Sequence, residues 1–475
     1  MSESLKKQTF KGVLWSGIER MSGQGVLFLV MLVIARILSP KEFGLIGMLT
    51  IFLSVAQSLI DSGFSQALIR KQNRTETDNS TVFYFNIVIS CLIYLLLYII
   101  APYVSVFYSE PQLCKVMRVL CLIVIVNSFA VVQRALLTAK IDFKTQSKAS
   151  FIAAISSGIF GIVLALKEFG VWAIVYQQLL NRIIQTVLLW YFSKWRPVLL
   201  FSYSSFKDLF SFGSKLMISG LIDTIYNNIY QIVIGKYFSA SSLGHFTQAK
   251  QITNLPSTNV TNIFQRVTYP VLCTLQDDNE KLREDYRKLL KLSSFFIFPM
   301  MCCLAGVSEP LVNILLGEKW HFTSILIIPL CFSVMWYPVA SINLNLLQVK
   351  GRSDLFLKLE IIKKIVGVAV LILSFPFGLV VMCYARIIAT IISLVLNTYY
   401  TGKLIQVGFW LQLKDMSATL ITSLLMFLLV YLCVYLIGNT WAQLFIGIVL
   451  GLSFWGIISL LFKFDEVSQL KTLIK

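Results

Sequence analysis

About fourteen apolar segments, each roughly long enough to cross a bilayer, run from Phe10 to Phe464 with short connections between them. Nothing constrains the fold of such a chain more. In hydrocarbon every backbone polar group must pair internally, so only helices or closed barrels can span. The runs Phe83–Ala101 and Leu420–Ile437 are continuous, whereas barrel strands alternate and are about half as long. The expected fold class is therefore all-α, a polytopic membrane protein. The expected spans are Phe10–Leu38, Phe43–Leu68, Thr81–Phe107, Leu113–Leu137, Ala149–Leu166, Val171–Phe192, Phe206–Tyr237, Ser242–Leu272, Tyr286–Leu316, Ser324–Leu347, Leu355–Ser374, Gly378–Tyr400, Met416–Ile437 and Trp441–Phe464. Little chain remains outside the membrane, so function has to reside in polar side chains within the bundle.

The net charge of +18 does not require a nucleic-acid partner, because basic residues concentrate in one set of loops. That set includes Lys6, Lys7 and Lys11, then Arg70, Lys71 and Arg74, then Lys140, Lys144 and Lys148, and continues through Arg287, Lys350 and Lys403. The alternate set holds far fewer, mainly Lys41, Lys115, Arg118, Lys167, Lys236 and Lys319. By the positive-inside rule the first set and both termini are cytoplasmic. The small connections Ser39–Glu42, Lys167–Gly170, Gly317–Phe322 and Gly438–Thr440 then face outward. Cysteines lie mostly within apolar runs and lack metal-type spacing, and His245 and His321 are far apart, so no metal site is expected.

The chain repeats itself. Phe169-Gly170-Val171 leads to Tyr176, Ile183-Ile184 and Tyr191, as Phe377-Gly378-Leu379 leads to Tyr384, Ile391-Ile392 and Tyr399. Leu38-Ser39-Pro40 with Gly44 is mirrored by Phe238-Ser239-Ala240 with Gly244. Spans 1–6 thus correspond to spans 7–12, a parallel repeat whose axis follows the membrane normal. The expected organisation is an N-lobe over 1–205, a C-lobe over 206–405 and two further helices over 406–475.

Polar residues recur at i, i+4 spacing, which places them along one helix face. The rows are Ser16, Arg20 and Gln24 beside Glu19; Gln57, Asp61 and Ser65; Gln177, Asn181 and Gln185 beside Arg182; Lys215, Ser219, Asp223, Asn227 and Gln231; and Lys250, Asn254, Thr258, Asn262 and Arg266. Glu360 and Lys364 can neutralise one another on a single helix, and Arg386 lies in the twelfth span. The row from Lys215 to Gln231 runs for about four turns, a depth that suits a water-filled cavity better than a dry interface. Candidate cavity residues are Arg20, Gln24, Asp61, Arg182, Lys215, Asp223, Asn227, Gln231, Lys250, Asn254 and Arg266. The set leans cationic, and arginine and lysine both bind phosphate. Its amides, with Tyr226, Tyr230 and Trp172 nearby, fit sugar hydroxyls and rings.

The opening Gly12-Val13-Leu14-Trp15-Ser16-Gly17, the turn Leu38-Ser39-Pro40-Lys41-Glu42-Phe43-Gly44 and Asp61-Ser62-Gly63-Phe64 before Ala67-Leu68-Ile69-Arg70 resemble the polysaccharide exporters. These are the lipid-linked-oligosaccharide flippases of O-antigen, colanic-acid and exopolysaccharide pathways, in the multidrug/oligosaccharidyl-lipid/polysaccharide (MOP) exporter superfamily. The resemblance covers the whole chain. It implies two six-helix lobes opening alternately to either side, two extra helices that can form a lipid-tail groove, and a bacterial inner-membrane location. It also implies translocation of a polyprenyl-diphosphate-linked oligosaccharide without catalysis. The implied partners are that substrate, membrane lipid and polysaccharide polymerase or assembly proteins; a monomer without a nucleic-acid partner is expected. No cofactor is called for beyond coupling to protons or sodium, for which Glu19, Asp61 and Asp223 are the candidates. A cation-coupled multidrug antiporter of the same superfamily is the alternative, and would favour carboxylates in an apolar cavity. A membrane enzyme would need a substantial exterior loop, and the exterior loops here are small.

Overall fold

A computed structural model describes residues 23–61, 63–71, 73–462, 464 and 466; the side chains of Asp61, Phe212, Lys215, Leu216, Ile263, Arg266 and Val267 lie outside the description. All regular elements among the described residues are helical. The contacts divide the chain after Gly244 into two compact units.

The first unit contains α1 (Gly23–Ile37), α2 (Pro40–Asp61), α3 (Phe64–Arg70), α4 (Glu76–Tyr108), α5 (Gln112–Leu120), α6 (Leu122–Ser128), α7 (Val131–Ala139), α8 (Phe143–Leu166), α9 (Val171–Ser193), α10 (Tyr203–Tyr237) and the first turn of α11 (Ala240–Thr274). The second holds the rest of α11, then α12 (Asn279–Gly306), α13 (Ser308–Leu315), α14 (His321–Val334), α15 (Tyr337–Val349), α16 (Ser353–Ser374), α17 (Leu379–Ile405), α18 (Phe409–Leu436) and α19 (Thr440–Leu461).

Helix starts follow local capping chemistry. Thr75 and Asp78 form a reciprocal capping box at α4, with Asp78 N donating to Thr75 Oγ1 at 3.2 Å and Thr75 N to Asp78 Oδ2 at 2.8 Å. Asp142, Ser202, Asp278 and Asn439 cap α8, α10, α12 and α19. The Lys281 amide bonded to Asp278 holds that loop carboxyl below the usual range.

Helices occupy every expected span from residue 23 onward. Among the described residues, eight are long and apolar enough to cross a membrane, or nine if a bent pair counts as one span. The helices that fall short include α10, α11 and α16, which carry rows of polar and charged residues. The fourth expected span is not one rod: it breaks after Leu120 and again after Ser128, bending by 42° before α7. The tenth also breaks, between α14 and α15, where Pro338 opens the second piece. Lipid-sized faces remain outside. On α4, Leu92, Leu95, Leu96 and Ile99 are exposed, and on α19 Trp441, Phe445 and Leu452. In hydrocarbon such surface needs no covering.

In the first unit α2 and α10 pack along their length, and glycines allow close backbone approach at each end of α2. A Cβ on Gly44 would collide with the Ala240 carbonyl oxygen, and one on Gly244 with that of Pro40. These residues are the equivalents in the repeated turn, so the contact is reciprocal.

The second unit is tied by a buried polar cluster. Tyr286 of α12 donates to Asn343 Oδ1 at 2.9 Å, and Asn343 Nδ2 donates to Gln412 Oε1 at 3.1 Å. Gln412 Nε2 lies 3.0 Å from Thr401 Oγ1 and 3.0 Å from the Val407 carbonyl. One amide of α18 thereby joins α12, α15 and α17. Arg287 adds a two-pronged ion pair to Asp415 of α18, at 2.7 and 2.6 Å. Further along, Gly447 and Gly451 of α19 accept the side chains of Val307, Val430 and Val434 at close range. The two last helices are thus built onto the second unit rather than appended to it. Replacing Gln412 by leucine strands the partners of a buried amide and is expected to cost about 2 kcal/mol. A thermal unfolding series in detergent should show Gln412→Leu and Asp415→Asn both well below the parent, against little change for a half-buried Thr422→Ala control, whose hydroxyl bonds carbonyls of its own helix.

Candidate functional site

In the first unit an open cavity of about 480 Å³ lies among four helices. Leu53, Ser54, Gln57 and Ser58 line it from α2, Ile123, Val124 and Asn127 from α6, Gln178 and Arg182 from α9, and Gly220 and Thr224 from α10. Helical spacing explains the assembly: Ser54 with Ser58, Gln178 with Arg182, and Gly220 with Thr224 are i, i+4 pairs on one face each. The short α6, bounded by the two breaks, brings Asn127 to the wall. Asn127 Nδ2 donates to Gln57 Oε1 at 2.6 Å. Asn127 Oδ1 is buried and has no hydrogen-bond partner among the described residues. A buried acceptor without a donor costs about 1–3 kcal/mol.

The polar row on α9 divides between two roles. Gln177 and Asn181 are buried, and Asn181 Nδ2 donates to Ser157 Oγ of α8 at 3.1 Å. Gln185 donates to Ser150 of α8 at 2.8 Å and accepts from Arg134 at 3.1 Å and from Arg182 at 3.3 Å. That edge is the interhelical seam between α8 and α9. The neighbouring edge, Gln178 and Arg182, faces the cavity. Of the expected residues, Arg182 is therefore at a cavity wall. Gln57, Asn127, Gln178 and the hydroxyls beside them belong with it and were outside the expected set, although Gln57 stands in a recognised polar row.

The remaining candidates are dispersed among several environments. Gln24, Asp223 and Asn227 are exposed, whereas Gln231 is buried with Oε1 unpartnered among the described residues. Arg20 and the side chains of Asp61, Lys215 and Arg266 lie outside the described residues. In the second unit Lys250 and Asn254 are half-buried on α11. Lys250 is close enough to Arg386 of α17 for their charges to interact, and Arg386 Nη2 donates to Tyr337 OH at 2.7 Å. Two basic groups and a phenol thus share one neighbourhood, which can receive an anion. Arg386 was legible as a buried charge, but sequence spacing does not relate it to Lys250.

The model of the family described as Polysaccharide biosynthesis protein matches residues 33–326. The chain belongs to that family. A curated relative, the teichuronic acid biosynthesis protein TuaB of Bacillus subtilis, is 28% identical over 359 residues, covering 74% of this chain and 73% of TuaB. The fold is shared with the lipid II flippase MurJ in an inward closed conformation, at a TM-score of 0.77 and 17% identity, over 96% of this chain and all 100% of that one. It is also shared with an inward-facing MATE-family multidrug transporter of the MOP superfamily, at a TM-score of 0.63 and 17% identity, over 84% of this chain and 100% of the transporter. The chain is a multi-pass membrane protein with the fold of that superfamily.

The division of α9 can be checked directly. Cysteines placed at Gln178 and Ser58 should react with a small water-soluble thiol reagent, read out by peptide mass spectrometry. A cysteine at Gln177, one residue away on the seam, should stay at least ten-fold less modified. Equal modification at Gln177 and Gln178 would contradict the division.

Proposed function

We propose that this protein flips a polyprenyl-diphosphate-linked oligosaccharide from the cytoplasmic to the outer leaflet of a bacterial inner membrane. The observation that carries the reading is family membership combined with a polar-walled cavity in a multi-pass membrane protein. A diphosphate–sugar head cannot enter hydrocarbon unaided, because unpaired buried charge costs many kcal/mol. A route lined by amides, hydroxyls and cations replaces its hydration, while the polyprenyl tail stays in lipid. No bond is made or broken, so no catalytic residue is assigned and the protein is read as a transporter rather than an enzyme.

In this reading Lys250 and Arg386 of the second unit meet the diphosphate, and Arg20, Lys215 and Arg266 are further candidates for the same role. Arg182, Gln57, Asn127 and Gln178, with Asp223, Asn227 and Gln231 as further candidates on α10, meet the glycan or its water, and Asn254 is a candidate in the second unit. Two repeated lobes rock about a midplane site to give alternating access. The repeated motifs around Gly170 and Gly378 and around Gly44 and Gly244 support that repeat. Both termini are cytoplasmic and the working unit is a monomer. Asp61, Asp223 and Glu19 are the groups through which a proton or sodium gradient would couple. In this reading the last two helices, α18 and α19, form the groove for the lipid tail. Family membership favours an oligosaccharide substrate over the drugs of the MATE transporters.

Charge reversal tests the head-group role. Cells carrying Arg20→Glu with Lys215→Glu, at unchanged membrane levels of protein, should lose surface polysaccharide by at least ten-fold and accumulate the lipid-linked precursor. Normal surface polysaccharide in the double variant would refute the assignment.

A further inference from the structure

We propose that a second cavity of the first unit is a binding site for an uncharged sugar, distinct from the cavity lined by Arg182. It measures about 360 Å³ and is walled by Glu42, Gln112, Lys115, Glu168 and Trp172, with Gly170 closing one side. That volume lies within the range of roughly 300–1,000 Å³ common to small-molecule sites. The cavity sits where α2 and α5 begin and where α8 hands over to α9. By the loop charges this is the outward end, so the site rests on the flippase reading for its orientation and its natural ligand.

Its walls are built for hydroxyl groups. The Glu42 carboxylate is fixed by Ser39, whose Oγ donates to Oε2 at 2.9 Å, and its other oxygen lies beneath Gly170. A Cβ on Gly170 would come within 2.8 Å of Glu42 Oε1, and Gly170 has φ +56°, so the loop takes this seat only with glycine there. Glu168 stands exposed at φ +60°, the helix-ending position where glycine is preferred. Neither carboxylate pairs with Lys115, and Lys41 next door is taken by Glu110 at 3.3 Å. Trp172 is held against Tyr176 with ring centroids 5.7 Å apart and is still half-buried.

Sugar hydroxyls donate and accept, so they serve the carboxylates of Glu42 and Glu168 and the donors of Lys115 and Gln112 together. An indole face suits the C–H side of a sugar ring. A phosphate or a uronate would bring negative charge beside two carboxylates and is disfavoured. The cavity therefore takes the neutral end of a glycan, on the side where a flipped substrate emerges, and the inner cations take the diphosphate.

The test is saturation-transfer NMR on the full chain in lipid nanodiscs, with methyl β-D-glucopyranoside, methyl β-D-N-acetylglucosaminide, methyl β-D-glucuronide and inorganic pyrophosphate as probes. The neutral glycosides should bind in the millimolar range, and Glu168→Gln and Trp172→Ala should each weaken them at least five-fold. The glucuronide should bind more weakly than its neutral counterpart, and neither variant should alter pyrophosphate binding. Unchanged glycoside binding in both variants, no glycoside binding to the parent, or displacement of the glycoside by calcium chloride would each overturn the site. Arg182→Gln serves as the control from the inner cavity and should leave the Trp172-dependent signal intact. None of these outcomes bears on translocation, which the charge-reversal experiment reads separately.

Discussion

The cost of an unsatisfied polar group in hydrocarbon governs this structure. It forces the backbone into helices, and it leaves buried polar side chains two outlets: another helix or a wet cavity. Both outlets occur on a single helix. On α9, Asn181 and Gln185 bond into α8, whereas Gln178 and Arg182 open onto the cavity shared with α2, α6 and α10. In the second unit the same economy produces the Tyr286–Asn343–Gln412 cluster, which is wholly enclosed, and the Lys250, Arg386 and Tyr337 neighbourhood, which is only partly so. The enclosed cluster fixes helices to one another.

Much of this was legible in the sequence, for a physical reason in each case. Span positions follow from continuous apolar runs, and the polar rows follow from i, i+4 spacing, because both depend only on local helix geometry. What spacing cannot reveal is which edge of a polar helix meets a neighbour. Gln177 and Gln178 are adjacent and chemically identical, yet one is buried and the other lines a cavity. Asn127 falls inside an ordinary apolar span of the sequence; its role depends on the breaks around α6, which the smooth apolar run Leu122–Val126 does not announce. The exposure of Asp223 and Asn227 beside the cavity-lining Thr224 likewise depends on how α10 is turned, not on its sequence period. Turn residues were more informative. The repeated Ser39 and Ser239 turns led to Gly44 and Gly244, where backbones meet in a reciprocal contact that any side chain would block.

In the proposed function each part of the substrate meets its own chemistry. Basic groups within the spans suit a diphosphate, amides and hydroxyls suit a glycan, and the acidic, aromatic cavity at the outward end suits neutral sugar alone. A drug carrier has no need of such an ordered series. A flippase does, because its substrate is itself ordered, from lipid tail through diphosphate to sugar, and each part must find a solvent substitute without binding so tightly that it stays.

The central claim is movement of a lipid-linked glycan across a bilayer, and reconstitution measures it most directly. The purified protein in sealed liposomes would be given a fluorescent polyprenyl-diphosphate oligosaccharide confined to the inner leaflet, with a membrane-impermeant glycosidase outside. The account predicts protein-dependent release of labelled sugar that approaches the whole substrate pool, at a rate at least ten-fold above protein-free liposomes. Release no faster than in protein-free liposomes, with the protein folded and inserted, would contradict it.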